Sequence, residues 1–286
     1  MLRHFSFQSI HGRDGATFGY EAQNLAGKDG FSGDVDAASL VMIDNWLLYD
    51  FEELASGQPV LLNCARESLM SGFITLLPRS AVIKLHKSAL PDPAVLSACR
   101  RLKAQGYRIA LDDFQCTDGI EPFLEIADYI KVDFQLSRGQ ERLNLLASLR
   151  ETGAKLIGEK IETPEELAEA WDEGCDLVQA YQLGKLLSFA KDRDRVHPLR
   201  CLGILDKLVG PDCTPDEIAY WVALDSGLEA RILHTAKSIS GTSDAISMHD
   251  ALELIGKSGV RKLLMLAMSA TLEHRLQTEP ILAKSA

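Results

Sequence analysis

Short apolar runs alternate with helical stretches between residues 59 and 185, and this alternation constrains the fold more than any other feature of the sequence. Apolar runs that predict strands lie near residues 59 to 63, 81 to 85, 108 to 112, 127 to 132, 155 to 159 and 176 to 179. Helical spacing occurs near 66 to 76, 93 to 105, 138 to 152 and 164 to 173, and 120 to 126 has room for one helical turn. Repeated βα units build a parallel sheet, so this number of units predicts a TIM-type α/β barrel.

Five of these strands end in a polar side chain. The run Arg108-Ile109-Ala110-Leu111-Asp112-Asp113-Phe114 ends in two carboxylates, and the other runs end at Asn63, Asp133, Glu159 and Gln179. An aspartate at one strand end is explained by turn and helix-capping preferences alone. Its recurrence over several strands favours a shared site, because the carboxyl ends of barrel strands meet at the face where barrel enzymes have their active sites.

Two strand-like runs precede the alternation, at residues 5 to 10 and 17 to 22. The Asp14-Gly15 pair between them is a turn signal, so the two runs predict a β-hairpin. Residues 36 to 55 then carry apolar side chains at helical spacing, which predicts a helix between the hairpin and the alternating region.

The alternation stops near residue 185, and no further strand is predicted. The charged run from 191 to 195 is typical of a linker. Helices are predicted at about 198 to 209, 215 to 224, 228 to 238 and 248 to 275, the last with a break at Gly256 to Gly259. The chain is therefore predicted to contain a barrel over residues 1–190 and a small all-α domain over residues 191–286.

Composition excludes several classes of protein. The chain has 286 residues, 46% of them hydrophobic, and a net charge of -11, which argues against a surface that follows nucleic-acid phosphates. Its six cysteines lack the spacing of a zinc site or a disulfide framework and suit a reducing cytosol. No apolar run approaches the roughly 18 residues of a membrane span, and the first residues lack a signal sequence. We therefore expect a cytoplasmic protein without nucleic-acid or membrane partners.

Six segments resemble, in order, the successive motifs of EAL domains. They are Gly19-Tyr20-Glu21-Ala22-Gln23, Leu62-Asn63, Leu111-Asp112-Asp113-Phe114, Ile130-Lys131-Val132-Asp133, Gly158-Glu159-Lys160-Ile161-Glu162-Thr163 and Gly174-Cys175-Asp176-Leu177-Val178-Gln179-Ala180-Tyr181. EAL domains are bacterial TIM-barrel phosphodiesterases that linearise cyclic di-GMP with two magnesium or manganese ions. The resemblance implies this fold over roughly residues 1 to 190.

The helical remainder resembles an HDOD domain, through residues 225 to 233 and 246 to 256. The whole chain is thus similar to bacterial EAL-HDOD hybrid signalling proteins, with a short HDOD part. HDOD domains lack the catalytic metal site of their HD relatives. The His249-Asp250 dipeptide lies on an amphipathic helix without other matched histidines, so it predicts a pair on a helix surface and no metal site.

The resemblance assigns roles to individual residues. Positions of metal ligands or of their close supports are occupied by Glu21, Asn63, Asp112, Asp113 and Gln179. Lys131 falls at the lysine that helps to hold the nucleophilic water, and Glu159 falls at the candidate general base. Glu162 falls at a further acidic position of the same motif.

One motif departs from the family in a way that bears on catalysis. The family has two glutamates three residues apart at its central strand end, one of which binds metal while the other orders the adjoining loop. This chain has Lys84 and Lys87 there. Two-metal catalysis needs oxygen ligands whose charge offsets two divalent ions, and a protonated lysine cannot ligate a metal. No functional metal site or catalytic residue is therefore expected, and Glu159, Lys131 and Glu162 are interpreted as vestigial.

The charge of Lys84 has two interpretations. Its ammonium can stand among Glu21, Asp112 and Asp113 as an internal cation that keeps the carboxylates ionised. Alternatively, Lys84 extends from the barrel mouth into solvent and leaves a weak single-metal site.

The dinucleotide contacts of the family are altered as well. Gln23 stands where the family motif continues with leucine, and the arginine that follows shortly after and contacts phosphate is missing. Gln115 replaces a loop glycine, and Ala180 stands where the family places a glycine between its last-strand glutamine and the following tyrosine. A phosphate without its bidentate arginine loses a strong charge-assisted contact.

Three functional classes follow. The first is a non-catalytic signalling protein in which the degenerate EAL barrel and the HDOD module bind a protein partner. The second is a cyclic di-GMP receptor without turnover. The third is an active phosphodiesterase with magnesium or manganese. Lys84 and Lys87 argue against the third class, and the missing arginine argues less strongly against the second.

Overall fold

A computed structural model describes residues 2–24, 35–86, 89, 92–112, 120–180, 183, 187–192, 196, 198–209, 213–242 and 244–278. Three residues with predicted roles, Asp113, Gln115 and Lys87, lie outside this described part. Within it, no helix combines the length and the apolarity that crossing a membrane would need.

The strands form one sheet. They are β1 (Leu2–His11), β2 (Thr17–Asn24), β3 (Val60–Cys64), β4 (Ala81–Leu85), β5 (Arg108–Leu111), β6 (Tyr129–Asp133), β7 (Lys155–Ile161), β8 (Leu177–Ala180) and β9 (Leu187–Asp192). Neighbours from β2 to β8 are parallel and follow chain order. Strand β1 closes the barrel because it pairs antiparallel with both β2 and β8, and β9 pairs with the first half of β1. The predicted barrel and hairpin are confirmed.

The helices lie outside the sheet. They are α1 (Val35–Tyr49), α2 (Phe51–Leu54), α3 (Arg66–Met70), α4 (Pro93–Ala104), α5 (Glu121–Leu124), α6 (Gly139–Arg150), α7 (Pro164–Asp172), α8 (Pro198–Val209), α9 (Pro215–Val222), α10 (Ser226–Ser240) and α11 (Met248–Thr278). Helices α7 and α9 both begin with a capping box, formed by Thr163 with Glu166 and by Thr214 with Glu217. The predicted break in the last helix is confirmed at Gly256, where φ is 68°.

Three predictions about elements were wrong. Two single helices predicted over residues 36 to 55 and 66 to 76 are each divided by a residue in the left-handed region. Asp50 (φ 46°) separates α1 from α2, and Gly72 (φ 72°) separates α3 from a 3-10 helix at Phe73–Leu76. The third wrong prediction was that no strand follows residue 185, since β9 lies there. It forms through long-range pairing with β1, from Leu2 with Asp192 to Phe7 with Leu187.

Helix α1 is buried all round and connects the barrel to the C-terminal helices. From Val41 to Tyr49 every residue is buried, including the polar residues Asp44 and Asn45. Helices α10 and α11 both pack against α1, and apolar residues of all three belong to one core cluster that also includes the outer side chains of the barrel strands. Arg231 of α10 forms a buried ion pair with Asp44 of α1. The C-terminal helices therefore cover the outer surface of α1.

Candidate functional site

The barrel interior is arranged in two layers. The lower layer is apolar and consists of Ile10, Leu61, Val82, Ala110, Tyr129, Ile157 and Leu177. Side chains two residues further along a strand point to the same side. Six of these strands therefore place a polar side chain directly above the apolar layer, namely Asn63, Lys84, Asp112, Lys131, Glu159 and Gln179. Glu21 of β2 joins this upper layer through its contacts with the two lysines. The strand-end residues thus meet at one face.

Lys84 lies between two carboxylates. Its Nζ donates hydrogen bonds to Glu21 Oε1 at 2.5 Å and to Asp112 Oδ2 at 2.8 Å. The Lys84 side chain is only 3% exposed. The interpretation of Lys84 as an internal cation requires this geometry, and the solvent-exposed alternative is wrong.

Lys131 is the second cation of the cluster. Its Nζ contacts Glu21 Oε2 at 2.7 Å and Asp112 Oδ1 at 3.4 Å, and it forms a short ion pair with Glu159 Oε2. Gln179 Nε2 donates to Glu21 Oε2 at 3.0 Å. Both oxygens of Glu21 are therefore occupied, one by Lys84 and the other by Lys131 and Gln179.

Charge pairing outweighs burial at the centre of the cluster. Burial by itself would raise the pKa of Glu21, but Lys131 and Lys84 hold that pKa well below its usual range. The pKa of Asp112 is also lowered, since Lys84 and Lys131 oppose the effect of burial. Burial would lower the pKa of Lys131, and the carboxylates of Glu21, Asp112 and Glu159 raise it well above its usual value. These groups are ionised at neutral pH.

Glu159 differs from the other carboxylates. Burial raises its pKa to about 7, despite the ion pair with Lys131, because Asp112 and Glu21 add like charge nearby. Its Oε1 is buried and has no hydrogen-bond partner among the described residues. The ionised form of Glu159 is therefore the least stabilised charge of the cluster.

The raised pKa of Glu159 predicts a pH-dependent stability. Between about pH 4.5 and pH 7 the folded protein retains a proton that the unfolded chain releases. The stabilisation is complete below the lower pH and is lost as the pH rises through the higher one. We expect the unfolding free energy of the wild type, relative to Glu159→Gln, to fall by roughly 2 to 4 kcal/mol between these limits. Urea unfolding of the wild type and of Glu159→Gln at both pH values measures this difference. The exposed Glu165→Gln is the control. A pH-independent difference would contradict the assignment.

Two predicted site residues contribute less than expected. Asn63 is aligned with Lys84 in the β3–β4 register, but its Oδ1 is buried without a hydrogen-bond partner in the described part of the chain. Glu162 follows β7 and is exposed at the rim. The structure therefore places Asn63 in the upper layer without a hydrogen bond to its Oδ1 from the described residues, and it places Glu162 at the rim of the cavity.

A cavity of about 350 Å³ opens above the ion-pair cluster. It is lined by Gln8, Glu21, Gln23, Lys84, Asp112, Lys131, Glu159, Lys160, Ile161, Glu162 and Gln179. Gln23 Nε2 donates to Gln8 Oε1 at 3.0 Å across the hairpin. Gln8 was missed in the sequence, although it lies two residues before the inward-facing Ile10 and alternation predicts the same orientation.

Lys160 is a second site residue that the sequence did not reveal. It has a left-handed backbone (φ 56°) next to a shift of register between β7 and β8. Its Nζ contacts Asp133 Oδ2 at 2.5 Å, and Asp133 is 4% exposed. No local signal in Glu159-Lys160-Ile161 predicts this conformation, because a non-glycine residue adopts it at a cost in energy.

The described residues do not fit a pair of divalent metal ions. The ammonium of Lys84 occupies the space between Glu21 and Asp112, where an ion shared by these carboxylates would lie. The described part of the chain also contains no group of three His, Cys, Asp or Glu side chains placed to hold a metal ion. What this arrangement can do chemically is pair charges internally and present the remaining polar groups to a ligand.

Comparisons with known proteins place this geometry in context. No family model matches the chain. It is 26% identical over 250 residues to the uncharacterized protein YuxH of Bacillus subtilis (strain 168), covering 85% of this chain and 60% of that protein. It is 22% identical over 272 residues to the cyclic di-GMP phosphodiesterase CdgJ of Vibrio cholerae, covering 92% and 63%. The chain thus spans about three fifths of the length of these relatives.

A solved structure shares the barrel. The Bacillus subtilis YkuI protein, with an EAL domain, in complex with substrate c-di-GMP and calcium, matches 66% of this chain and 57% of its own chain. The TM-score is 0.53 and the sequence identity is 21%. The strand order agrees with this likeness, since a closed eight-stranded barrel with an antiparallel first strand is formed by β1 to β8. The barrel of this chain therefore has the fold of an EAL domain.

Proposed function

We propose that this chain is a non-catalytic signal-transduction protein of cyclic di-GMP signalling, in which an EAL-type barrel and an HDOD-like helical module act through binding a protein partner. The observation that carries the proposal is the position of Lys84, whose ammonium contacts Glu21 at 2.5 Å and Asp112 at 2.8 Å. The barrel carries its own cation at the place where catalysis would require a metal.

Electrostatics support this proposal. Two unit charges 4 Å apart interact with about 4 kcal/mol at an effective dielectric constant of 20, and a divalent ion feels about twice that. A metal ion beside Lys84 and Lys131 would experience this repulsion from both ammoniums. It would also have to displace Lys84 from Glu21, which already accepts hydrogen bonds from three groups. Metal binding at this cluster is therefore unfavourable.

The surface of the C-terminal helices supports the protein-binding part of the proposal. In the described part of the chain, large apolar side chains with high exposure are concentrated after residue 198, at Leu202, Val209, Tyr220, Leu224, Ile239, Leu254 and Met265. Val209 is 79% exposed and Tyr220 is 67% exposed. A contiguous patch of such side chains is typical of surfaces that contact another protein.

A cyclic di-GMP receptor without turnover is the second candidate. Three lysines and three glutamines line the cavity, and such side chains contact phosphates and bases in other proteins. The names of two similar proteins refer to this ligand, since CdgJ is a cyclic di-GMP phosphodiesterase and YkuI was solved with c-di-GMP. The altered positions Gln23, Gln115 and Ala180 weigh against it.

We expect no hydrolysis of cyclic di-GMP to the linear dinucleotide by this chain, with either magnesium or manganese. Metal ions would activate the attacking water and stabilise charge on the phosphate, and the ammonium of Lys84 occupies the space between the carboxylates that would hold them. Chromatography of the products, with CdgJ of Vibrio cholerae as the active control, measures it. A linear product that increases with metal concentration and disappears in Glu21→Ala would overturn the proposal.

A calorimetric titration with cyclic di-GMP separates the three classes of function. Heat of binding without product, with or without magnesium, would favour the receptor. Binding followed by turnover only with metal would favour the phosphodiesterase. Absence of both is the result expected for a partner-binding protein. The double variant Lys84→Glu with Lys87→Glu need not regain activity, because the dinucleotide contacts are also altered.

A further inference from the structure

Carboxylates outnumber lysines around the cavity. The described lining contains three lysines and four carboxylates. Each lysine is already held by a carboxylate: Lys84 and Lys131 by Glu21, and Lys160 by Asp133. Asp133 lies outside the lining and adds a fifth negative charge to the group. Even when Glu159 is protonated, the four other carboxylates outnumber the three lysines in the described part of the mouth, which disfavours an anion and favours a cation.

One residue of the cavity lining has a hydrogen-bond acceptor without a donor among the described residues. Glu159 Oε2 accepts from the ammonium of Lys131, and Oε1 is buried without a hydrogen-bond partner among the described residues. A buried acceptor without a donor costs about 1 to 3 kcal/mol. Oε1 itself is closed to solvent, so a donor in the cavity reaches it only when the carboxylate of Glu159 turns toward the cavity that this residue lines. Such a contact would recover this energy, and a positively charged donor would also offset the negative charge of the mouth.

We propose that the barrel mouth binds an arginine side chain inserted by a basic segment of a protein partner, with Glu159 as the acceptor of its guanidinium. This inference rests on the proposed function and names the chemistry of the partner. Arginine fits better than lysine because its planar group has several donors, and a second carboxylate, Glu162, lines the same cavity as Glu159.

The net charge of the chain supports the same partner. A protein with a net charge of -11 attracts basic segments over a distance and repels anionic ligands such as a cyclic dinucleotide. The side-chain amides of Gln8 and Gln23 are joined by a hydrogen bond of 3.0 Å and form the cavity wall on the side of the β1–β2 hairpin. Amides there can accept from a peptide backbone without adding charge.

The test uses two short peptides and the full chain. One peptide carries a single arginine among glycine and serine residues, and the other carries citrulline, its neutral analogue, at the same position. Nuclear magnetic resonance titrations follow binding to the wild type, to Glu159→Gln and to Glu162→Gln. Glu165→Gln, which removes an equal charge from α7 outside the cavity lining, is the matched control. Circular dichroism establishes that each variant is folded.

We expect the wild type to bind the arginine peptide at least about tenfold more tightly than the citrulline peptide, a preference equivalent to about 1.4 kcal/mol. Glu159→Gln should abolish the preference, Glu162→Gln should reduce it, and Glu165→Gln should retain it. Equal binding of the two peptides, or no binding of either, would overturn the inference. The same samples are assayed with cyclic di-GMP: a linear product refutes the proposed function, whereas failure of the peptide titration alone refutes only the arginine site.

Discussion

Arg231→Met is expected to destabilise the protein by about 3 to 5 kcal/mol, since it leaves a buried carboxylate without its charge partner. Arg231 Nε donates to Asp44 Oδ1 at 2.5 Å and Nη2 donates to Asp44 Oδ2 at 2.8 Å. The two side chains are only 1% and 0% exposed. Arg231 Nη1 also donates to the carbonyl oxygen of Gly227 at 2.8 Å. Urea unfolding of the wild type and the variant measures the loss.

Two control variants distinguish the buried pair from an ordinary surface pair. Arg13 and Asp172 lie 3.8 Å apart with side chains 71% and 81% exposed, so Arg13→Met should change the unfolding free energy by less than about 1 kcal/mol. The double variant Asp44→Leu with Arg231→Met should lose less than Arg231→Met alone, because no charge then remains buried. An unfolding free energy for Arg231→Met equal to that of the wild type would show that α10 does not depend on this pair.

Lys84→Met is expected to lower the free energy of unfolding by about 3 kcal/mol or more. The variant leaves Glu21 and Asp112 in a buried site with Lys131 as their common cation. Repulsion between the two carboxylates then increases, and their pKa values should rise toward the physiological range. The unfolding free energy of Lys84→Met relative to that of Arg13→Met should therefore improve as the pH is lowered, because the contribution of Glu159 is present in both variants.

The response to a divalent ion is a second test of the role of Lys84, again with the variant Lys84→Met. Once the ammonium is removed, manganese can approach Glu21 and Asp112, and a bound ion stabilises the folded state by mass action. We expect manganese to raise the thermal unfolding midpoint of Lys84→Met and to leave that of the wild type unchanged. The double variant Lys84→Met with Glu21→Gln is the control and should lose the response. A manganese response of equal size in the wild type would refute the view that Lys84 excludes metal.

The barrel and the inward direction of the site residues were predictable for one physical reason. In a strand, the side chains alternate between the two faces, so Val82 in the barrel core requires Lys84 to point inward two residues later. The same rule places Lys131 above Tyr129 and Glu159 above Ile157. The alternation could not predict which carboxylate each lysine contacts, because that depends on distances across the barrel.

The remaining features depend on long-range packing. Strand β9 is partly charged, and it is formed through pairing with β1. Asp44 and Arg231 are polar residues on helices, which usually face solvent. The available signal was that most of α1 is apolar, with Asp44 and Asn45 as the exceptions between Val41 and Tyr49, so that more than one of its faces needs cover. The domain boundary near residue 190 and the HDOD-like character of the helices stay predictions.

The closure of the barrel by β1 has a consequence for synthesis in the cell. Strand β1 pairs with β8 at His11 and Val178 and with β9 from Leu2 and Asp192 onward. A ribosome that adds about 5 to 20 residues per second needs about 10 to 40 s to reach β9 after β1 has been made. During this interval the hairpin of β1 and β2 has an unpaired edge, and such edges can pair with other chains. The early hairpin is therefore open to pairing with other nascent chains until β9 has been translated.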